Sequence, residues 1–392
     1  MRFMKGNQNS FICRFIDTHD DWREQIKNKY KINVKEDPPY AIFNYGIECD
    51  FKDPLVQEAR GIIINLDTLE VVCWPFRKFG NYQESYADQI DWATARVQDK
   101  VDGSIIKLWN DDNTWHFSTN SMINADNALC QGNPSKSFGD LIREAKEYFQ
   151  ISRMIQEGKL PKENTYIFEL VSPEQQIVIR YPETKLYHIG TRNNLTGQEC
   201  NMDIGVEKPE EYPLKSLDDC LKTAINLNLG QDGELHSVKK EGFVVVDQNW
   251  HRVKVKSPDY LLFHRMAGNG GFSKERILSL LKNYQTDVPG LCESFPSFAH
   301  YIKYYDFKVT ELEYQAKVFC DLTDALYEEL GCDRKAVANV IKGHRLAAIA
   351  FRHLDSGKSA KEILQNMNPS QYNKMIPDYV PEKLSKVFWK GQ

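Results

Sequence analysis

Several features that define common protein classes are missing from this sequence of 392 residues. It contains no run of about 18 apolar residues, so we expect no membrane span. No continuous apolar stretch lies near its first residues, so we expect no secretory signal. The nine cysteines are scattered, without the close pairs that form zinc sites. An odd, scattered set also argues against a disulfide framework and predicts a reducing, cytoplasmic compartment.

Two common nucleotide-binding motifs are absent as well. There is no GxxxxGK[ST] loop, so a fused kinase of the P-loop type is not expected, and the glycines form no dinucleotide fingerprint. The composition is nevertheless that of a folded protein, with 41% hydrophobic, 12% aromatic and 27% charged residues. A chain of this length and composition predicts two or three domains, or one large domain with an appendage.

Charge is distributed unevenly along the chain. The net charge of −5 argues against a protein that binds nucleic acid over its whole surface. Residues 331–392 nevertheless hold 11 Lys and Arg against 5 Asp and Glu, a net of +6, which leaves −11 on residues 1–330. Two interpretations stay open for the basic end, an arm that contacts phosphates and a solvated helical face.

The residue pattern changes near residue 260. Before this point lie short runs rich in β-branched and aromatic residues, with two helical patterns inserted. The predicted strands are residues 40–45, 61–66, 70–76, 104–109, 114–118, 166–171, 176–181, 185–190, 242–247 and 251–256, and the inserted helices are residues 138–157 and 217–228. The later helices are predicted at residues 273–284, 298–329, 333–356 and 360–366. We expect an α+β body and an all-helical C-terminal domain, joined by a loop or hinge at residues 268–271.

A lysine followed by a glycine turn stands at Lys100, in the run K-V-D-G-S. A lysine amine is a nucleophile when it is neutral, and burial or nearby cations favour that state. The glycine after Asp102 would let the backbone approach a nucleotide closely. By itself the motif is weak, because an ordinary surface turn has the same composition.

Two glutamates accompany apolar strands. Glu169 lies inside the run at residues 166–171, and Glu241 precedes the run at residues 242–247. A buried carboxylate needs a cation, a metal, a hydroxyl or a backbone donor, whereas most strand glutamates are exposed at a sheet edge. Both interpretations stay open for Glu169. The strand after Glu241 is too apolar for an edge, which places this residue at the mouth of a core strand.

Two lysines share one face of the last predicted strand. Side chains two residues apart on a strand point the same way, so Lys254 and Lys256 are expected side by side. Two neighbouring ammonium groups repel each other unless an anion lies between them, and a phosphate would satisfy both. A polar face on an amphipathic surface strand explains the pattern equally well.

Two further cations stand near apolar runs in the first quarter of the chain. Arg60 precedes the strand at residues 61–66, and Lys78 lies among aromatic residues at 76–79. Each could be a surface cation whose aliphatic stem covers apolar surface. Each could also contact a triphosphate.

Taken in order, these motifs resemble the nucleotidyltransferase superfamily of ATP-dependent ligases and mRNA capping enzymes. The order is K-x-D-G at Lys100, F-E-L at Glu169, E-G-F-V-V-V at Glu241 and K-V-K at Lys254. Four motifs in the family order are far more specific than any one of them.

Further residues are similar to the phage-type RNA ligase 1 family. They are E-A-R-G at 58–61, P-F-R-K-F at 75–79, K-V-K-S at 254–257 with Tyr260 after it, and the C-terminal runs at 336–343 and 373–377. The resemblance covers most of the chain. It implies an α+β nucleotidyltransferase domain, ATP-grasp-like with antiparallel sheets and helices, followed by the helical domain.

The resemblance implies an ATP-dependent RNA ligase that works in three steps. Lys100 would attack the α-phosphorus of ATP, which releases pyrophosphate and leaves AMP on the lysine. AMP would pass to an RNA 5′-phosphate, and an RNA 3′-hydroxyl would then displace it to seal the strand. The implied cofactors are ATP and Mg²⁺ or Mn²⁺. The implied partner is RNA, either single-stranded or a nicked tRNA anticodon loop, with no membrane and no obligate protein partner.

The resemblance also implies a role for each candidate residue. Lys100 would be the nucleophile, with Lys254 and Lys256 as catalytic neighbours at the α-phosphate. Arg60 and Lys78 would hold the β- and γ-phosphates. The remaining members of the implied ATP site are Asp102, Gly103, Glu169 and Glu241. Of these, Glu241 would engage the metal, and Glu169 would contact the ribose or a metal-bound water.

General chemistry agrees with these roles. Phosphoryl transfer needs in-line positioning and neutralised charge on the non-bridging oxygens, and Mg²⁺ favours carboxylate and phosphate oxygens. Cations and a metal around Lys100 are expected to lower its pKa and free its lone pair. One segment departs from the family pattern, because residues 117–121 offer no cation where the family carries a basic residue.

We expect an adenylyltransferase domain at residues 1–265 and a helical domain at residues 266–392 that contributes to the choice of RNA or tRNA. Two alternatives stay open. A DNA ligase or a capping guanylyltransferase uses the same motifs but would carry an OB-fold after them, which the helical pattern disfavours. A non-catalytic, nucleotide-sensing RNA-binding protein could keep the pocket, although it would not need Lys100 as a nucleophile.

Overall fold

The computed structural model describes residues 7–46, 48–228, 238–267, 274–283, 288–289, 292 and 299–379. The chain divides into two compact units, residues 1–228 with 238–261 and residues 229–237 with 262–392. The predicted hinge at residues 268–271 lies outside the described residues. The roles expected for the two predicted domains stay predictions.

The strands of the first unit pair antiparallel in three sheets. In chain order they are β1 (Ile32–Asp37), β2 (Tyr40–Tyr45), β3 (Arg60–Asn65), β4 (Glu70–Cys73), β5 (Arg96–Asp99), β6 (Ser104–Asp111), β7 (Thr114–Thr119), β8 (Asn164–Val171), β9 (Lys185–Asn193), β10 (Glu199–Cys200), β11 (Glu211–Tyr212), β12 (Gly242–Val246) and β13 (Arg252–Lys256). The helices are α1 (Phe11–Thr18), α2 (Trp22–Asn28), α3 (Pro54–Glu58), α4 (Phe138–Glu144), α5 (Lys146–Gln156) and α6 (Leu217–Asn226).

The first sheet has the order β1-β2-β3-β4, and its inner strand β3 is buried on both faces. Alternation along β3 sends Ile62 and Ile64 into a core shared with Ile12 of α1. Ile63 points the other way and packs in a cluster with Trp109 of β6. The strand therefore reads as a continuous apolar run because each face meets a different layer.

The second sheet has the order β10-β9-β8-β6-β7. Ile106 of β6 and Phe168 of β8 pack on the face that is covered by α4 and α5, where Leu141 and Ile151 meet them. The third sheet has the order β11-β5-β12-β13 and packs its apolar side chains against α6.

An apolar cluster joins the second and third sheets. Ile167 of β8 packs with Phe76 and Phe79 from the segment after β4, and Ile189 of β9 and Val244 of β12 pack against them. These residues bring the turn between β5 and β6 close to β8 and β13. The predicted site residues are distributed around this junction.

Most of the predicted strands are present, with ends that differ by a few residues. The strand predicted at residues 176–181 is wrong, because that segment is irregular and its backbone N–H groups bind a side chain. The helix predicted at residues 138–157 is broken by Ala145, which is extended at φ −67° and ψ 133°. The helix predicted at residues 333–356 is likewise interrupted after residue 341.

The second unit is helical in the residues that the structure describes. Its helices are α7 (Pro258–Ala267), which begins in the first unit, α8 (Lys274–Asn283), α9 (Ala299–Glu329), α10 (Arg334–Ile341), α11 (Ala347–Ser356), α12 (Ala360–Gln365) and α13 (Pro369–Met375). The buried residues of α9 recur every three or four positions, as in Ile302, Tyr305 and Val309, which is the spacing of one helix face. Over residues 258–379, as far as they are described, no strand follows β13, in agreement with the predicted helical domain.

In the part of the chain that the structure describes, no helix combines the length and the apolar character that crossing a bilayer requires.

Candidate active site

Lys100 lies in the turn between β5 and β6 and is tied to β12 by its backbone. Its N–H donates to the carbonyl oxygen of Gly242 at 2.9 Å. Its Nζ donates to Oε2 of Glu241, also at 2.9 Å. The Lys100 side chain is 19% exposed, so its amine is held by the protein rather than surrounded by bulk water.

Glu241 serves as counter-ion to two lysines at once. Its Oε1 lies 2.8 Å from Nζ of Lys256, while Oε2 accepts from Lys100. Glu241 is only 2% exposed, so both ion pairs are formed away from water. Removing Glu241 would leave two neighbouring ammonium groups without their shared counter-ion.

A cavity of about 680 Å³, including its open mouth, lies beside these residues. Its lining combines five cations, two carboxylates and an apolar wall: Arg60, Lys100, Arg252, Lys254 and Lys256, then Asp99 and Glu169, then Phe76, Phe79, Ile189 and Val244 among others. The excess of positive charge suits a ligand with several negative charges, and the apolar wall suits a flat ring.

Arg60 approaches the cavity with part of its hydrogen-bonding capacity unused. Its guanidinium lies over the rings of Phe76 and Phe79, at 4.7 and 5.1 Å from their centroids. Nη1 donates to the carbonyl of Arg77 at 3.4 Å, whereas the buried Nε has no hydrogen-bond partner among the described residues. An anion in the cavity could supply the missing acceptors.

Lys254 lies close to several other cations. Its Nζ lies 4.6 Å from the ring centroid of Phe79. Burial, and then the charges of Arg60, Lys78 and nearby lysines, lower the pKa of Lys254 to about 6. Its amine is therefore largely neutral at pH 7 and would regain its proton beside a phosphate.

Lys78 does not line the cavity, in contrast to the other predicted cations. Its amine lies over the rings of Tyr45 and Phe51, 5.0 and 4.9 Å from their centroids. The positive charge of Lys78 is nevertheless close enough to Lys254 to help lower the pKa of Lys254. Contact between Lys78 and a triphosphate stays a prediction.

The expected low pKa of Lys100 is not found in the free protein. Burial alone would lower the pKa, but the charges of Glu241 and Glu169 and the hydrogen bond to Glu241 outweigh it. The pKa of Lys100 therefore lies above its ordinary value. The neighbouring cations were recognisable in the sequence, but the direct contact of Glu241 with the Lys100 amine was not.

Asp102 and Gly103 are held by the protein itself. Asp102 Oδ2 accepts from the N–H groups of Val178 and Ile179 at 2.9 and 2.7 Å, and Oδ1 accepts from the Tyr260 hydroxyl at 2.7 Å. A Cβ on Gly103 would lie 2.4 Å from the Leu170 carbonyl oxygen. This glycine makes a close approach to β8, and Asp102 anchors the turn that carries Lys100. The predicted part of both residues in nucleotide binding stays a prediction.

Glu169 and Glu241 do not form a metal site by themselves. Both oxygens of Glu241 are engaged by lysines. Burial raises the pKa of Glu169 to about 7 against the opposing charges of Lys100 and Arg60. Within the described residues, no three His, Cys, Asp or Glu side chains come together as metal ligands. A divalent cation here would need phosphate oxygens and water for most of its ligands.

Arg252 is a cavity residue to which the sequence argument gave no role. It is 6% exposed and pairs through both terminal nitrogens with Glu199, at 2.9 and 2.6 Å. The alternation that placed Lys254 and Lys256 on one face of β13 also includes Arg252, so this signal was present in the sequence. Its carboxylate partner, far away in sequence, was not recognisable.

The anchoring role of Asp102 can be tested by its removal. We expect Asp102→Ala to lower the free energy of unfolding by about 3 kcal/mol, because three buried donors lose their acceptor. Chemical denaturation followed by tryptophan fluorescence would measure the change, with Asp37→Ala at an exposed strand end as control. Equal stability of the two variants would contradict the anchoring role.

Comparisons with known proteins point to one family. A family model described as RNA ligase matches residues 58–260. The chain is 31% identical over 264 residues to a putative bifunctional polynucleotide kinase/RNA ligase of Autographa californica nuclear polyhedrosis virus, covering 62% of this chain and 36% of the relative. It is 23% identical over 284 residues to an RNA ligase of Rhodothermus phage RM378, covering 57% of this chain and 64% of the phage protein.

The chain thus spans between about a third and two thirds of the length of these curated relatives. Among solved structures it is similar to an archaeal ATP-dependent RNA ligase, at 12% identity and a TM-score of 0.42, over 74% of this chain and 78% of that one. The family model covers more than half of the chain and includes the motifs at Lys100, Glu169, Glu241 and Lys254. This chain is a member of the RNA ligase family.

Proposed function

We propose that the protein is an ATP-dependent RNA ligase that works through a lysyl-AMP intermediate on Lys100. The observation that carries this proposal is the position of the Lys100 amine, which is bound to a buried Glu241 at the edge of a cation-lined cavity. An amine in ordinary surface surroundings would have neither the counter-ion nor the neighbouring cations. Membership of the RNA ligase family supports the same chemistry.

The proposed steps use residues that the cavity brings together. Lys100 Nζ attacks the α-phosphorus of ATP, the bond to the bridging oxygen breaks, and pyrophosphate leaves. An oxygen of an RNA 5′-phosphate then takes AMP from the lysine, which regains its lone pair. An RNA 3′-hydroxyl attacks the RNA phosphorus, and AMP leaves. Lys254 and Lys256 would face the α-phosphate and Arg60 the β- and γ-phosphates, in agreement with the cation-rich lining.

A buried acceptor favours adenine as the base. Asp99 lines the cavity, and its Oδ2 accepts from Lys240 at 2.7 Å, but its buried Oδ1 has no partner among the described residues. The exocyclic amine of adenine could donate to this oxygen, whereas guanine presents an acceptor at the same ring position. Mg²⁺ or Mn²⁺ would accompany the triphosphate and neutralise its charge.

Covalent labelling tests the proposal. We expect the protein to retain label from α-³²P-ATP after denaturing electrophoresis, when it is incubated with Mg²⁺ or Mn²⁺. Lys100→Ala should lose the label, and so should Lys100→Arg, since a guanidinium stays protonated and cannot attack. Lys162→Ala, which removes an exposed lysine, should be labelled like the wild type.

Other labelling outcomes would point elsewhere. A wild type that takes no label under any condition favours a nucleotide-sensing RNA-binding protein. Stronger labelling by GTP than by ATP favours a capping guanylyltransferase, and transfer of AMP to DNA rather than RNA 5′-phosphates favours a DNA ligase.

The pH dependence of adenylylation should reveal the influence of Glu241. The charge of Glu241 holds the pKa of Lys100 above its ordinary value, so Glu241→Gln should lower that pKa. The rate of lysyl-AMP formation should then rise with pH at lower pH than in the wild type. Its maximum should fall about tenfold or more, because the amine loses its charged acceptor. Single-turnover rates across pH, with Glu144→Gln as an exposed control, would measure both effects, and an unshifted profile would count against this role.

We infer that the second unit contributes to RNA binding, as the net positive charge of residues 331–392 suggests. Lys335, Lys342 and Lys358 are exposed there. The combined change of these lysines to glutamate should weaken RNA binding about tenfold and flatten its dependence on salt, without changing lysyl-AMP formation. Filter binding at several salt concentrations would measure the effect. An unchanged RNA affinity would leave the basic end as a solvated helical face.

The cellular setting and the RNA target are inferred more indirectly. All nine cysteines are free, and seven of them are buried, which suits a reducing, cytoplasmic compartment. A nicked tRNA anticodon loop as substrate rests on the family resemblance alone.

A further inference from the structure

A glycine bulge interrupts β3 next to Arg60. Arg60 pairs with Asn44 of β2, whereas Ile62 pairs with the adjacent Phe43, so Gly61 is an extra residue without a partner in the ladder. Its φ of +82° is a conformation that other residues rarely adopt. Bulges of this kind re-aim a neighbouring side chain.

The bulge decides the face on which Arg60 lies. Without it, the period of two along a strand would put Arg60 on the face of Ile62, in the core beneath α1. With the extra residue, Arg60 shares the face of Ile63, toward the second sheet. On this face its guanidinium reaches Phe76 and the cavity.

The carbonyl of the bulged residue is bound by a lysine from the second sheet. Lys107 of β6 points to the same face as Trp109, which packs against the first sheet. Lys107 is 0% exposed, and its Nζ donates to the carbonyl oxygen of Gly61. No carboxylate lies within ion-pair distance of this amine in the described part of the chain.

The fit around the bulge is tight. A Cβ built on Gly61 would lie 2.5 Å from Lys107 Nζ and 2.8 Å from the carbonyl oxygen of Asn120. The Lys107 amine therefore lies close to Asn120. Asn120 belongs to residues 117–121, the segment that has no basic residue of its own. Lys107 brings a cation to this place from the neighbouring strand.

Burying a lysine at this position costs free energy, because its ammonium group loses contact with water. Burial, and then the charge of Arg60, lower the pKa of Lys107 to about 8. A methionine would fill the same space without the desolvation of an ammonium group. What the lysine adds is a donor on a side chain long enough to reach the carbonyl oxygen of Gly61.

We propose that Lys107 is a positioning residue for ATP binding, whose amine holds the Gly61 bulge and thereby keeps the Arg60 guanidinium turned toward the phosphates. This proposal rests on the function proposed above, in which Arg60 faces the β- and γ-phosphates. Lys107 itself touches no substrate, since it is fully buried and does not line the cavity.

The proposal predicts a loss that is specific for the triphosphate. In Lys107→Met, calorimetry should show about tenfold weaker binding of an ATP analogue with a methylene group between the α- and β-phosphates. Binding of AMP should change less than twofold, because AMP lacks the phosphates that Arg60 would hold. Lys159→Met, at an exposed position, is the matched control.

A double-mutant cycle tests whether Lys107 acts through Arg60. In an Arg60→Ala background, Lys107→Met should weaken analogue binding by less than about twofold, because its target is already gone. Full additivity would overturn the proposal. Equal weakening of analogue and AMP binding would overturn it as well, since that indicates a general distortion of the cavity.

The outcome is separable from that of the proposed ligase activity. Binding of the analogue requires no turnover, so Lys107 can be assessed even in a protein that forms no lysyl-AMP. In an active enzyme, Lys107→Met should slow lysyl-AMP formation at low ATP. The variant should still seal RNA that already carries a 5′-adenylate, at a rate within twofold of the wild type. An equal loss in both reactions would overturn the assignment.

Discussion

The carboxylate of Glu241 is shared by the amines of Lys100 and Lys256, and the arrangement of the cavity depends on this contact. Two lysines brought together away from water repel each other, so they need one anion between them. Glu241 supplies it from the residue before β12, while the backbone of Lys100 is tied to Gly242. The turn, the strand and the counter-ion therefore hold each other in place. The contact of Glu241 with Lys100 and Lys256 was not part of the sequence prediction, whereas a phosphate between Lys254 and Lys256 stays a prediction.

The remaining cations of the cavity are balanced less completely. Arg252 has Glu199 as a bidentate partner, but Arg60 keeps a buried nitrogen without an acceptor, and Lys254 is surrounded by positive charge. The first and second sheets bring in Arg60 and Glu169, and the third brings in the lysines. Because the sheets meet through an apolar cluster, the charged groups lie at its rim, where burial strengthens their interactions. This imbalance is what makes the cavity suitable for a polyanion.

The parts of the fold and of the site that depend on local periodicity were predictable from the sequence. The alternation along β13 placed Lys254 and Lys256 on one face, and the apolar runs located most of the strands. Prediction from the sequence failed where a contact with a residue far away in the chain determines the structure. The contacts that anchor Asp102 were not recognisable, because Val178 and Tyr260 lie about 80 and 160 residues away along the chain. The segment at 176–181 has strand composition, but its N–H groups bind that aspartate rather than a neighbouring strand. The contact that Lys107 makes was not predictable from the sequence, because a lysine in this apolar run is explained only by the bulge in β3, which belongs to another sheet.

The opposite pKa shifts of Lys100 and Lys254 connect this geometry to the proposed chemistry. Glu241 contacts Lys100 and holds its pKa above the ordinary value, whereas burial and the charges of neighbouring cations lower the pKa of Lys254 to about 6. In the free protein these shifts favour a protonated amine at Lys100 and a neutral amine at Lys254. A bound triphosphate would favour protonation of Lys254, which places a new positive charge near Lys100. Since like charges lower the pKa of an amine, a protonated Lys254 would offset part of the negative charge that the triphosphate and Glu241 place beside Lys100, and a divalent cation on the phosphates would offset more of it.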